Sequence, residues 1–198
     1  MPEFSDIILA YHTAVLQNKQ TALVTVVKVA GSSYRRPGAR MLVTEDGEIT
    51  GAISGGCLEG DALRKAQFAI FQQQNKLEIY DTTDDEDNKL GVQLGCNGIV
   101  YILFEPIKND YVYNPINLLK KVVQHRKNAV LLTMFNEDKS AVQKGTCCLV
   151  NNAENIYACD NIRTLIDKCK NVLQQKNSVV QNNDNGSVLF QFIPPSIQ

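Results

Sequence analysis

The chain has 198 residues, 44% of them hydrophobic and 21% charged, with a formal net charge of −1. That is enough chain to bury a core without disulfide or metal staples, and the balanced charge leaves no cationic excess to hold a phosphate backbone, which argues against a general nucleic-acid binder. No apolar run approaches the ~20 residues of a membrane span, and Met1-Pro2-Glu3-Phe4-Ser5-Asp6 lacks the cationic start and apolar stretch of a signal peptide, so a cytoplasmic protein with six reduced cysteines is expected.

Ile7, Ile8, Tyr11, Ala14 and Val15 recur at helical spacing. Strands are expected at 22–29, 39–44 and 48–53, the last two joined by a turn at Asp46-Gly47. A helix over 58–74 carries Leu58, Leu63, Ala66, Phe68, Ala69, Ile70 and Phe71, and strands at 76–81 and 98–105 follow. A second series then begins. A helix over 115–126 starts after Asn114, with Pro115 suited to its first turn. Strands come next at 128–135, 146–151 and 154–158, then a helix at 160–174 and strands at 177–181 and 186–193.

The two series resemble each other. Displaced by 107 positions, Ala22–Val43 falls without a gap on Ala129–Val150, and Ala22, Ser33, Gly38, Leu42 and Val43 meet Ala129, Ser140, Gly145, Leu149 and Val150. The closing strands match at an offset of 88, from Gly98-x-Val100 to Pro106 against Gly186-x-Val188 to Pro194. The expected fold is therefore α/β with a mixed, α+β-like character. One domain over 1–198 contains two α-β-β-β-α-β-β halves, about 1–107 and 108–198, sharing a mixed sheet system flanked by helices.

A repeat separates scaffold from function, because residues present in one copy only are not needed to build the fold. Arg35-Arg36-Pro37 becomes Val142-Gln143-Lys144 in the second copy; Ser54 to Gly60 has no Gly-Gly-Cys counterpart; and Thr82 to Asn97 shrinks to about Asn182-Asn183-Asp184-Asn185. The candidate site is where these three segments meet.

Ser54-Gly55-Gly56-Cys57-Leu58-Glu59-Gly60 lies between a strand and a helix. Paired glycines allow a sharp turn and close approach of a ligand to the main chain. The free N–H groups of a helix start favour an anion or a thiolate at Cys57, which Glu59 and Asp61 in the same turn oppose. Gly31-Ser32-Ser33-Tyr34-Arg35-Arg36-Pro37-Gly38 joins two strands, where Ser32, Ser33, Arg35 and Arg36 are suited to gripping an anion between the turn residues Gly31 and Gly38. The third segment is an acidic run, Asp84 to Asp87, that ends in Gly95-Cys96-Asn97-Gly98, with a second thiol at a tight turn. Cys57 and Cys96 belong to no C-x-x-C pair and His12 and His125 lie on separate helices, so no metal site is expected. Cys147, Cys148, Cys159 and Cys169 read as core residues, and neither a Gly-x-Gly-x-x-Gly nor a Walker-type sequence is present.

On these residues the chain resembles the XdhC/CoxI family of accessory factors for xanthine dehydrogenase and related molybdenum hydroxylases. The matching stretches are Gly31 to Val43 (GSSYRRPGARMLV), Asp46 to Gly60 (DGEITGAISGGCLEG) and Gly91 to Pro106 (GVQLGCNGIVYILFEP). Asn97 stands where the family has glycine, and the chain stops at Ile193-Pro194-Pro195-Ser196-Ile197-Gln198, near where longer members continue into a Rossmann-like domain opened by a Pro-Pro segment. The resemblance implies a factor that binds molybdenum cofactor, assists its sulfuration with a cysteine desulfurase, and delivers it to an apo-hydroxylase. It allows a homodimer and calls for no nucleic acid or membrane. Gly31, Ser32, Ser33, Arg35, Arg36, Gly38, Ser54, Gly55, Gly56, Cys57, Glu59, Gly60, Cys96 and Asn97 would then face the cofactor, with Cys57 beside its exchangeable sulfur. No iron–sulfur cysteine set supports oxidoreductase activity. Two alternatives stay open: a sulfurtransferase with Cys57 as persulfide carrier, and an adaptor that docks partners through residues 82–90.

Overall fold

A computed structural model describes residues 2–81, 98–151, 155–158, 163–183 and 186–195. The first half runs α1 (Pro2–Leu16), β1 (Thr21–Gly31), β2 (Arg40–Thr44), β3 (Ile49–Gly51), α2 (Glu59–Gln72), β4 (Lys76–Asp81) and β5 (Gly98–Pro106). The second runs α3 (Pro115–His125), β6 (Ala129–Phe135), β7 (Gly145–Asn151), β8 (Asn155–Ala158), α4 (Ile166–Gln175), β9 (Val179–Asn183) and β10 (Gly186–Ile193). A 3₁₀ turn, Arg163–Leu165, leads into α4. Among the described residues no helix is long and apolar enough to cross a membrane.

The α/β character and the element order are as expected, but the sheet is not shared. Each half forms its own five-stranded sheet, ordered β3-β2-β1-β5-β4 and β8-β7-β6-β10-β9, and every described pairing is antiparallel. Short connections between successive strands favour antiparallel ladders. The helical crossover in each half carries the chain to the far edge of its own sheet, so the duplication appears as identical topology.

Side-chain alternation sets the layers. Ala22, Val24 and Val26 on one face of β1 pack with Ala62, Ala66, Ala69 and Ile70 of α2. On its other face Leu23 joins Phe4, Ile7 and Tyr11 of α1, Ile116 and Leu119 of α3, and Leu131 and Ile193 of the second sheet. Burying each such large side chain contributes ~1.5–3 kcal/mol. Asn114 starts α3 by accepting the Asn117 N–H at 2.9 Å, with Pro115 in the first turn. Cys169 and Val172 of α4 cover Val130, Leu132 and Cys148. These cysteines are core, as expected, and burial pushes the Cys169 thiol up to about 11.

The ladders correct the repeat by one residue. Leu23 pairs with Leu42 and Leu131 with Leu149, and all four face the space between the sheets. Leu149 lies 107 residues after Leu42, but Leu131 lies 108 after Leu23. The gap-free displacement therefore sets Ala22, which faces α2, on Ala129, which faces the inner core. A one-residue slip exchanges the faces of a strand, and one residue fewer in the second β6–β7 connection restores them.

Between the sheets lies a reciprocal set of buried polar contacts. Thr146, opposite Thr133, donates from N and Oγ1 to Glu105 of β5 at 2.5 and 2.9 Å. Arg40, opposite Thr25, donates from Nη1 to Gln191 Oε1 of β10 at 2.6 Å and to the Gly38 carbonyl at 2.8 Å. Glu105 and Gln191 hold matching places, opposite Leu23 and Leu131. Gly38 and Gly145 also match, with φ of +99° and +93°; a Cβ on either would collide with Gln191 or Glu105 respectively. Burial lowers Arg40 to about 10, against the support of Glu105 and Glu3. Burial raises the Glu105 carboxyl, which Thr146 and the Arg40 charge only partly offset.

Arg40→Met is expected to cost about 3 kcal/mol, because it leaves Gln191 Oε1 and the Gly38 carbonyl without their donor and removes the charge that partly offsets the buried Glu105. In urea unfolding, Arg40→Met/Glu105→Gln should cost less than the two single changes summed, by about 1 kcal/mol. A Glu105 pKa raised on folding contributes stability that is present below its unfolded value of ~4.3 and lost as pH rises through the folded value. The cost of Glu105→Gln should thus be smaller at about pH 7 than at about pH 4.

Candidate functional site

β1, β3 and β4 end, and β2 and β5 begin, at one edge of the first sheet: Thr25 faces Arg40, Met41 faces Gly51, Asp81 faces Ile99 and Gly31 faces Gly98. All three unrepeated segments therefore leave from, or return to, the same place. Two close approaches occur at this end. A Cβ on Gly55 would lie 3.2–3.3 Å from the Tyr34 ring, so the ring rests on the Gly55 backbone. A Cβ on Gly98 would lie 2.6 Å from the carbonyls of Ala30 and Ser32, so the start of β5 is pressed against the end of β1 and the residue that follows it. Cys96 and Asn97 themselves lie outside the described residues, as does the 82–90 run.

The Ser54–Gly60 corner is wound around one carboxylate. Glu59, in the first turn of α2, accepts from Ser54 Oγ, from Ser54 N at 2.8 Å and from Ile53 N at 3.3 Å. The Ser54 hydroxyl in turn accepts from Gly56 N at 3.2 Å and Leu58 N at 3.1 Å. Desolvation raises the Glu59 carboxyl, but the bonds from Ser54 and the backbone outweigh it and hold it below its ordinary range. Glu59 and buried Ser54 thus act inward and shape the turn rather than presenting a face for ligand. Leu58 provides no side-chain cap for α2, which leaves first-turn N–H groups for solvent or an anion. Gly56, at φ +108°, and Gly60 have open space where a Cβ would stand. Cys57 is half-buried, packed against the α2 core.

In the first loop, Ser32, Tyr34 and Arg36 are exposed and Ser33 and Arg35 half-buried. Arg35 Nε is buried without a hydrogen-bond partner among the described residues. Gly31 is exposed at φ +82°. Gly38 is buried against Gln191, a scaffold position shared with Gly145.

The second half shows what the same loop does without a site. Gln143 takes the place of Arg36, buried, and its Nε2 donates to the carbonyls of Asn136, Asp138 and Ala141 at 3.1 Å each while its Oε1 accepts from Asn136 N at 2.8 Å. That side chain fills its own loop. Arg36 instead points outward from a loop closed by backbone bonds, Gly38 N to Val26 O and Ala39 N to Arg36 O. No cluster of metal-ligating side chains occurs among the described residues.

Sequence reasoning missed two residues. Tyr34 sits inside the singled-out loop, but its contact with Gly55 is long-range and carries no local signal. Arg40 closes the same loop and shows only as a cation in an otherwise apolar strand.

Glu59→Ala should loosen this corner by about 1–2 kcal/mol without unfolding the domain. Corrected amide exchange at Gly56 and Leu58 should then quicken about ten-fold. Because the Glu59 pKa is depressed, its contribution is present above the ordinary Glu range and lost as pH falls through the lowered value. Wild-type protection at these amides should fall in acid, and the variant's should not.

The XdhC and CoxI family profile matches residues 14–81, which contain two of the three segments. The chain is similar to a probable xanthine dehydrogenase subunit from Bacillus subtilis (strain 168), 36% identical over 104 residues, covering 50% of this chain and 32% of that protein. It is also similar to the molybdenum cofactor insertion chaperone PaoD of Escherichia coli (strain K12), 43% identical over 53 residues, 27% of this chain and 17% of that one. A solved xanthine dehydrogenase from Bacillus halodurans shares the fold at a TM-score of 0.66 and 25% identity, over 96% of this chain and 53% of that one. The chain thus spans a third or less of the curated relatives and about half of the solved one. The likeness to the XdhC and CoxI family thus rests in sequence on residues 14–81, and the likeness in fold runs through nearly the whole chain.

Proposed function

We propose that this protein is an accessory factor that binds molybdenum cofactor and hands it to a hydroxylase of the xanthine dehydrogenase type. The observation that carries this reading is the contrast between the halves: the first-half loop lays Tyr34 on Gly55 and leaves Arg36 exposed, where the second-half loop is closed by Gln143. The names of two relatives, one an insertion chaperone and one a component of xanthine dehydrogenase, support it.

The cofactor is cargo here, and the residues present suit its parts. Arg35, Arg36 and the uncapped start of α2 suit its phosphate. The exposed Tyr34 ring offers a flat surface for the pterin. Cys57 lies one residue from the open turn at Gly56 and would stand near the metal end. Sulfuration with a cysteine desulfurase, and assembly as a homodimer, belong to the same reading. In this account Cys57 steadies the cargo; in the competing account it carries a persulfide.

Anaerobic titration of molybdenum cofactor into the chain should show saturable binding, weakened at least about ten-fold by Arg35→Ala/Arg36→Ala with unchanged thermal stability. A folded wild type that does not bind would overturn the proposal. Cys57→Ser separates the two roles of the thiol: binding should weaken only a few-fold, and a reconstituted sulfuration reaction should continue. Abolished sulfuration with intact binding would instead establish the persulfide carrier.

A further inference from the structure

A groove of about 630 Å³ lies at the opposite end of the first sheet from the candidate site. There the second-half loop 139–144 faces the turn from α2 into β4, the end of β5 and the start of α3. Its volume is that of a small-molecule site, roughly 300–1,000 Å³. The loop that forms one wall is the duplicated counterpart of the cationic first-half loop.

Four lysines line it, Lys76, Lys108, Lys139 and Lys144, and among the lining residues the single carboxylate is Glu105. Both Glu105 oxygens are directed inward, to the backbone and hydroxyl of Thr146. Lys139 also bonds Glu78 at 2.9 Å, and Lys76 Nζ donates to Gln74 Oε1 at 3.3 Å. The walls are fixed before any ligand arrives. Gln143 pins the loop from within, Asn75 Nδ2 donates to the carbonyls of Gln143 and Lys144 at 3.2 and 3.1 Å, and Asn114 holds the start of α3. Tyr111 lines the groove, is 44% exposed and meets Tyr113 edge to face with centroids 6.5 Å apart.

We propose that this groove binds a phosphorylated small molecule of nucleotide size, with the lysines on the phosphates and Tyr111 against the planar moiety. Lysine ammonium groups serve phosphate as compact point charges, aromatic faces accept flat rings, and walls already ordered lower the entropy lost on binding. The inference stands apart from the cofactor reading, since it uses different residues at the other end of the sheet.

The test is calorimetric titration of the chain with ADP, inorganic pyrophosphate and adenosine. ADP and pyrophosphate should bind, adenosine should bind at least about ten-fold more weakly than ADP, and Lys108→Glu/Lys144→Glu should weaken ADP at least about ten-fold. Both lysines are exposed, so circular dichroism of the variant should match wild type. Arg35→Ala/Arg36→Ala should leave ADP binding unchanged, which separates this groove from the cofactor site. The proposal fails if neither ADP nor pyrophosphate binds up to about 5 mM. It also fails if adenosine binds as tightly as ADP, or if ADP binding is lost with the arginines and kept without the lysines.

Discussion

The Arg40 guanidinium reaches across the molecule to Gln191 while holding the carbonyl of Gly38 at the root of the first-half loop. A buried cation is costly unless it is partnered, and here its partners come from residues 151 positions apart in sequence as well as from its own turn. The reciprocal contact, Thr146 on Glu105, repeats the arrangement with the halves exchanged. Together they set how the two sheets face each other and anchor the loop between Gly31 and Gly38 at its base. The cation–π contact from Arg40 to Phe4, at 5.7 Å, ties α1 into the same cluster.

From that frame the two copies divide the work. Where the second copy turns a polar side chain inward, Gln143 satisfying three carbonyls, the first turns an arginine outward. Where the second has no glycine corner, the first builds one around Ser54 and Glu59 and rests Tyr34 on it. A single scaffold thus supplies rigidity twice and chemistry once at this edge of the sheet. Binding residues on loops held by a fixed framework are the usual way to combine precision with variability.

Helical spacing in Ile7, Tyr11 and Ala14, and the apolar run Ala22 to Val27, make the elements legible, because both signals are written locally. Which sheet a strand joins is not local. An apolar strand buried on both faces is silent on its partner, so two antiparallel sheets read as one mixed system. The repeat was legible from Leu42/Leu149 and Val43/Val150, whose places match, but identity at Ala22/Ala129 favoured a register one residue out. The site segments were legible because glycines, serines and arginines cluster where the copies diverge. Glu59 was read as facing the cofactor, and the structure turns it back on Ser54. That inward turn depends on the backbone path of the whole corner, which residue types alone do not encode.

The central claim is that the first-half loops form the cofactor site and their second-half counterparts take no part in it. Hydrogen-exchange mass spectrometry of the chain with and without molybdenum cofactor tests it most directly. The account predicts new protection in peptides covering 31–38 and 52–60 and none in those covering 136–144. Protection centred on 136–144, with 31–38 unchanged, would contradict it.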